Sequence, residues 1–128
     1  MKKTIKEELA TRYIKEELLD DNNLLQYAAD DSQNSVCIKI RYVEGNTIKE
    51  IVLATLSKED FKERKVILNF NQDKTAIAIK ERTGREYKLT KLYSLKDHSF
   101  SNPDFMEMEY RKLFNICNPK VYAKREMI

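Results

Sequence analysis

Val36-Cys37-Ile38-Lys39-Ile40-Arg41-Tyr42-Val43 constrains this chain more than any other stretch. Its apolar side chains recur every second residue. Val36, Ile38, Ile40 and Tyr42 fall on one face of a pleat, and Cys37, Lys39, Arg41 and Val43 fall on the other. A helix would scatter the first set around its axis, so the run is a strand with one core face. Glu44-Gly45-Asn46 follows as a three-residue hairpin loop, because Gly and Asn tolerate positive φ. It leads into a second β-branched run, Thr47 to Leu56, and the pairing of the two is local.

Three more strands are expected downstream. Ser57 is placed to cap a short helical turn running to about Arg64, with Asp60 returning a capping-box contact and Phe61 facing inward. Lys65 to Phe70 then alternates Val66, Leu68 and Phe70 inward. Asn71 to Lys74 is a turn, since Asn and Asp side chains satisfy nearby backbone amides. Thr75 to Arg82 sets Ile77 and Ile79 against Ala76, Ala78, Lys80 and Arg82, and Thr83-Gly84 turns the chain again. In Arg85 to Leu95, Tyr87 and Leu89 share a parity that Leu92 does not, so an extra residue near Thr90-Lys91 would bring all three inside. Five short strands with turns of a few residues suit a small, strongly curved antiparallel sheet or barrel over residues 36 to 97. An open sheet with a helix laid across it is the alternative.

Helices are expected on both flanks, giving an α+β class. Residues 1 to 31 carry a capping-box pattern at Thr4-Ile5-Lys6-Glu7, and Ile5, Leu9, Tyr13, Ile14 and Leu18 follow helical spacing. Asp20-Asp21-Asn22-Asn23 breaks this helix, and a second short one runs from Leu24 to Ala29. Its apolar stripe either closes one mouth of the barrel or forms a dimer contact. Asn102-Pro103-Asp104 reads as the start of a helix over 102 to 117, ended by Asn118-Pro119, with a basic tail over 118 to 128.

At 128 residues the chain is expected to form a single domain. A charged fraction of 35% beside 41% hydrophobic residues describes a folded rather than a disordered chain. No run approaches the roughly 20 apolar residues that span a bilayer, and Met1-Lys2-Lys3 precedes a charged segment instead of an apolar one. The chain is therefore expected in the cytoplasm, away from membranes, with Cys37 and Cys117 as reduced thiols.

Little here points to catalysis. His98 is the single histidine and has no Cys or Ser in a recognisable nucleophile setting; no glycine-rich phosphate loop is present, and Glu107 and Glu109 lack a histidine partner for a metal. A non-enzymatic protein without cofactor or metal is expected. Charge is uneven, however. Residues 1 to 35 hold five basic and eight acidic residues, whereas residues 36 to 97 hold 14 and nine. Lys39, Arg41, Lys80, Arg82, Arg85 and Lys88 would share one outer face if the first, fourth and fifth of the five strands were neighbours. Tyr42 and Tyr87 would then supply stacking platforms beside them, a pattern suited to nucleic acid or a nucleotide-like anion. The alternative is a solvated surface balanced by Glu44, Glu50, Glu81 and Glu86.

Leu24 to Ala29, then Ile38-Lys39-Ile40-Arg41-Tyr42, a polar turn and Ile48 to Leu56 together resemble the opening of WYL domains. Arg85-Glu86-Tyr87-Lys88-Leu89-Thr90-Lys91-Leu92 is similar to that family's closing strand. Val66-Ile67-Leu68 stands where the family carries Trp-Tyr-Leu. The resemblance covers residues 24 to 95 and implies an Sm-like small barrel that senses nucleic acid or nucleotide ligands, with Tyr42, Arg85 and Tyr87 at matching places. Two functions follow as expectations. One is a regulatory or accessory protein that binds nucleic acid through the barrel's basic face. The other is a protein-interaction module, of the kind phages and mobile elements use as inhibitors or accessories, acting through its terminal helices.

Overall fold

The computed structural model describes residues 11 to 116. Its elements are β1 (Thr11–Leu18), β2 (Asn23–Asp30), β3 (Ser35–Glu44), β4 (Thr47–Ser57), α1 (Lys58–Lys62), β5 (Val66–Phe70), β6 (Ala76–Thr83), β7 (Glu86–Ser94), β8 (Ser99–Phe100) and α2 (Met106–Leu113). The strands form two open four-stranded antiparallel sheets, ordered β1-β2-β3-β4 and β5-β6-β7-β8. The described residues fall into two compact units. One ends at Val66 and also holds Arg82–Gly84; the other comprises Ile67–Glu81 and the residues from Arg85 onward.

This architecture corrects the expected five-stranded curved sheet or barrel flanked by helices. The 36 to 97 stretch does not close on itself, because its first two strands share a sheet with β1 and β2 while its last three continue into β8. Residues expected as amino-terminal helices are strands from Thr11 onward; the expected capping box at Thr4 to Glu7 lies outside the described residues. The expected helix breaker at Asp20 to Asn23 falls at the β1–β2 hairpin, and residues 31 to 34 form the turn from β2 into β3. Leu24-Leu25-Gln26-Tyr27-Ala28-Ala29 is apolar on both parities, a pattern that fits a doubly covered central strand as well as a buried helix. Its partner decides: β2 aligns Leu25 with Ile40, Tyr27 with Ile38 and Ala29 with Val36. Helix spacing in a short segment cannot compete with a ten-residue strand offering a matched apolar face.

Val36, Ile38, Ile40 and Tyr42 of β3 are all buried, with Leu25 and Ala29 of β2 and Leu53 and Leu56 of β4 beside them. Burying each large aliphatic side chain contributes about 1.5–3 kcal/mol. An extra residue on β4, Leu53, lies between the pairs Ile38–Ala54 and Lys39–Val52. It lets Leu56 and Ala54 share the core face with Ile51 despite their opposite parities. On the same face Tyr27 meets the Phe61 ring of α1 at 5.9 Å and the Lys15 ammonium at 5.7 Å. Burial, with a smaller contribution from the Glu17 carboxylate, raises the Tyr27 phenol above its ordinary 10.0.

The helix after β4 forms as its cap dictates, with Ser57 Oγ accepting from the Asp60 amide at 3.1 Å. The Asp60 carboxylate does not return to the cap; it pairs with Lys65 at 3.2 Å. That hydrogen bond and charge, reinforced by Glu63, raise the Lys65 ammonium pKa.

In the second sheet, β6 buries Ala76, Ile77, Ala78 and Ile79 in succession. Ala76 and Ala78 join Leu92 in a cluster against which Leu89 and the α2-side residues Met106, Tyr110 and Phe114 pack. Small side chains on that face let the helix approach. Leu89 and Leu92 share the cluster despite opposite parity, whereas Tyr87 is exposed. The helix expected over 102 to 117 begins at Met106 instead. Asn102 Oδ1 accepts from the Asp104 amide at 2.9 Å, so Asn102 and Pro103 form a turn ahead of the helix. Among the described residues, no helix is long and apolar enough to cross a membrane.

Candidate interaction surface

The eight residues expected to form one basic face have different settings. Lys39 and Arg41 lie on the outer face of β3, which is hydrogen-bonded to β2 and β4 and not to β6 or β7. Glu50 of β4 lies between them, 3.4 Å from Lys39 Nζ and 3.1 Å from Arg41 Nε, although the Arg41 N–H is not aimed at that oxygen. Tyr42 is 7% exposed on the opposite face and offers no ring for stacking. Lys80 sits over the Tyr110 ring of α2 at 5.2 Å. Arg82 is half-buried near the end of β6, where its amide donates to Lys65 O at 2.7 Å. Arg85, Tyr87 and Lys88 are exposed at the entry to β7. Of the three strands needed for a common basic face, β6 and β7 are neighbours in the second sheet, but β3 belongs to the first.

A different surface is built on the outer face of the first sheet. Leu18, Leu24 and Arg41 are aligned across β1, β2 and β3, and Val43 pairs with Ile48 one row further along. Leu18 is 68% exposed, Ile48 61%, Val43 50% and Val52 48%. Leu18, Val43 and Ile48, with Leu24 and Arg41, surround a shallow groove of about 230 Å³, lined also by Asp21 and Asn22 of the β1–β2 turn.

That turn is well supported. Asp20 Oδ1 accepts from the amides of Asn22 and Asn23 at 2.7 and 2.8 Å, and Asn22 Oδ1 accepts from the Val43 amide at 3.1 Å. The groove therefore stands on paired strands with a braced rim, as a preformed binding surface requires. Beside it, Gln26 is 2% exposed; its Nε2 donates to Glu16 at 3.0 Å, while its Oε1 accepts no hydrogen bond among the described residues.

The edges of this sheet are less inviting than its face. β1 carries an extra residue, Ile14, between the pairs at Tyr13 and Lys15, and β4 carries one at Leu53. Lys15, Glu16 and Glu17 on one edge strand and Lys49 and Glu50 on the other add charge. Bulges and charges both discourage pairing with a foreign strand.

A second concavity of about 500 Å³ lies in the other unit, lined by polar residues including Ser94, Ser99, Ser101, Lys96, Asp97 and Glu109. Its Ser101 hydroxyl donates to Glu109. His98 occupies the β7–β8 turn at φ 52, and its amide donates to Ser94 O at 2.9 Å. Among the described residues, no group of three His, Cys, Asp or Glu side chains could hold a metal.

Leu18, Val43, Ile48 and Val52 do not stand out as a binding surface in the sequence. A one-sided sheet needs apolar residues on alternate positions only; Ile48, Ile51, Val52 and Leu53 exceed that need on β4, and this excess is the legible signal. Comparison with known protein families, curated proteins and solved structures found no match.

Proposed function

We propose that this chain is a non-enzymatic protein-interaction module, of a regulatory or accessory kind, that receives an amphipathic partner segment on the outer face of its first sheet. The observation that carries this reading is the convergence of Leu18, Val43 and Ile48, each at least half exposed, on one braced groove. Scattered surface aliphatics are ordinary; contiguous ones at a concavity mark interaction sites. The contact surface is thus a sheet face instead of the terminal helices first expected. A cytoplasmic setting belongs to the same reading, because Cys37 is a free thiol.

The test is an NMR titration of the ¹⁵N-labelled protein with three amphipathic peptides that share their apolar positions and carry Lys, Gln or Glu on the polar face. Shifts confined to Leu18, Leu24, Val43 and Ile48, and lost in a V43K/I48K double variant, are expected from at least one peptide. No shift from any of them would refute the reading.

A second reading retains nucleic acid as ligand, favoured by the exposure of Arg85, Tyr87 and Lys88 within four residues at the entry to β7. Fluorescence anisotropy with labelled single-stranded RNA and DNA decides it. Two cations at phosphate give a log–log salt slope of about −1.4, and R85E/K88E should remove the binding. A flat titration at low salt would end that reading.

A further inference from the structure

Independently of the interaction reading, we infer that the cleft of the second unit binds a small zwitterion of the amino-acid class. Its ammonium meets Glu109, its carboxylate meets Lys112, and its side chain lies against Phe100 and Leu113.

The cleft is lined by the β7–β8 hairpin, the start of β6 and the carboxy-terminal half of α2. Hydrogen bonds hold all three in place. The Asp97 amide donates to Ser94 Oγ at 3.0 Å and the Ser101 amide to Leu92 O at 2.8 Å. Asn71 joins strand to helix: its Oδ1 accepts from the Thr75 and Ala76 amides, and its Nδ2 donates to Leu113 O at 3.4 Å. At about 500 Å³ the space suits a small ligand, and its walls are fixed beforehand.

Four charged side chains line it, Lys96, Asp97, Glu109 and Lys112, two of each sign. None of the four forms an ion pair among the described residues, whereas Arg111 and Glu107 of the same helix pair at 3.2 Å. Glu109 and Lys112 are three residues apart on α2 and so are neighbours on its surface, yet they do not pair. A simple anion would meet both carboxylates, and a simple amine both ammoniums. A ligand carrying both charges matches the wall.

Glu109 sets the orientation. It is half-buried, and the Ser101 hydroxyl donates to its Oε2, which holds the carboxylate in the cleft and leaves Oε1 for an ammonium. Lys112 is then the nearest cation along the helix for the ligand's carboxylate. Phe100 and Leu113 are exposed large apolar side chains on the same cleft. The Lys91 ammonium already lies over the Phe100 ring at 5.6 Å, so the ring offers the ligand apolar surface instead of a cation site.

The test is an NMR titration of the ¹⁵N-labelled full chain with L-phenylalanine, phenethylamine and hydrocinnamate. These share one aromatic body and carry both charges, only the positive, or only the negative. L-Phenylalanine should bind about two- to fivefold more tightly than either analogue, as one exposed ion pair allows. Glu109→Gln keeps an acceptor for Ser101; it should weaken L-phenylalanine and phenethylamine and not hydrocinnamate. Lys112→Gln should weaken L-phenylalanine and hydrocinnamate and not phenethylamine. The analogue each variant spares reports an intact cleft. Equal affinities for the three probes, variants that weaken all three alike, or no shift from L-phenylalanine at millimolar concentration would each overturn the inference. So would glucose binding more tightly than L-phenylalanine, since a neutral polyol would then be the better match.

Discussion

In the first sheet, strands of 8, 8, 10 and 11 residues are joined by turns that satisfy themselves locally; in the second, strands of 5, 8, 9 and 2 residues depend on one buried side chain. Asp20 and Asp30 each collect amides of their own turns, and Gly45 takes the positive φ of the third turn. Asn71 does far more. Its Oδ1 accepts from the Thr75 and Ala76 amides at 2.8 and 2.9 Å, and its Nδ2 donates to Asp73, to Thr75 and, at 3.4 Å, to the Leu113 carbonyl at the end of α2. A long ladder spreads its stability over many pairs, whereas a short one concentrates it where turn, strand and helix meet. The ladder-rich sheet can therefore leave aliphatic side chains exposed on its outer face, since its folding rests on the other face.

The largest effect expected is in the core of the first sheet. Ile38→Ala should cost about 2–5 kcal/mol by urea denaturation, because the site is fully enclosed and a cavity remains. A cost below 1 kcal/mol would show that the face is not the core it is taken to be.

Asn71→Ala comes next, at about 2–3 kcal/mol, since buried amides lose their acceptor. Asp30→Ala, its counterpart in a self-contained turn, should cost at most about 1 kcal/mol. Equal losses at the two positions would erase the contrast between the sheets. Asn71→Asp sharpens it: the acceptor survives, but a carboxylate faces Asp73 where an amide donated at 2.8 Å. That variant should be destabilised at neutral pH and regain stability in acid as the repulsion is removed.

Ser57→Ala should cost about 1 kcal/mol, the usual loss for a cap, because one amide of α1 loses its partner.

The smallest effect is confined to alkaline solution. Tyr27 has a folded pKa above its unfolded value near 10.0, so the folded state keeps a proton that the unfolded chain releases. Its contribution is complete below pH 10 and declines as pH rises from there through the folded pKa. Tyr27→Phe should flatten that part of the alkaline limb; a limb of unchanged slope would place the titration elsewhere.

Legibility followed the range of the interaction. β3, its Gly45 turn and β4 were readable because alternation and turn chemistry act between neighbours. The Ser57 cap and the Asn71 turn were readable for the same reason. Of the candidate site, the acidic character of the amino-terminal third and the balancing of Lys39 and Arg41 by Glu50 were within reach, while the apolar groove was not. Leu18 and Ile48 are 30 residues apart, and only the registers of β1 with β2 and of β3 with β4 bring their rows together.

By itself, then, the amino-acid sequence determined where strands start and stop across the middle of the chain, which face of β3 is apolar, and where the turns fall. Tertiary structure alone decided that β1 and β2 are strands, that the sheets stay open, and which aliphatic side chains are left over on the outside. Periodicity encodes a face but not its partner. A doubly apolar run such as Leu24 to Ala29 becomes helix or strand according to what is beside it.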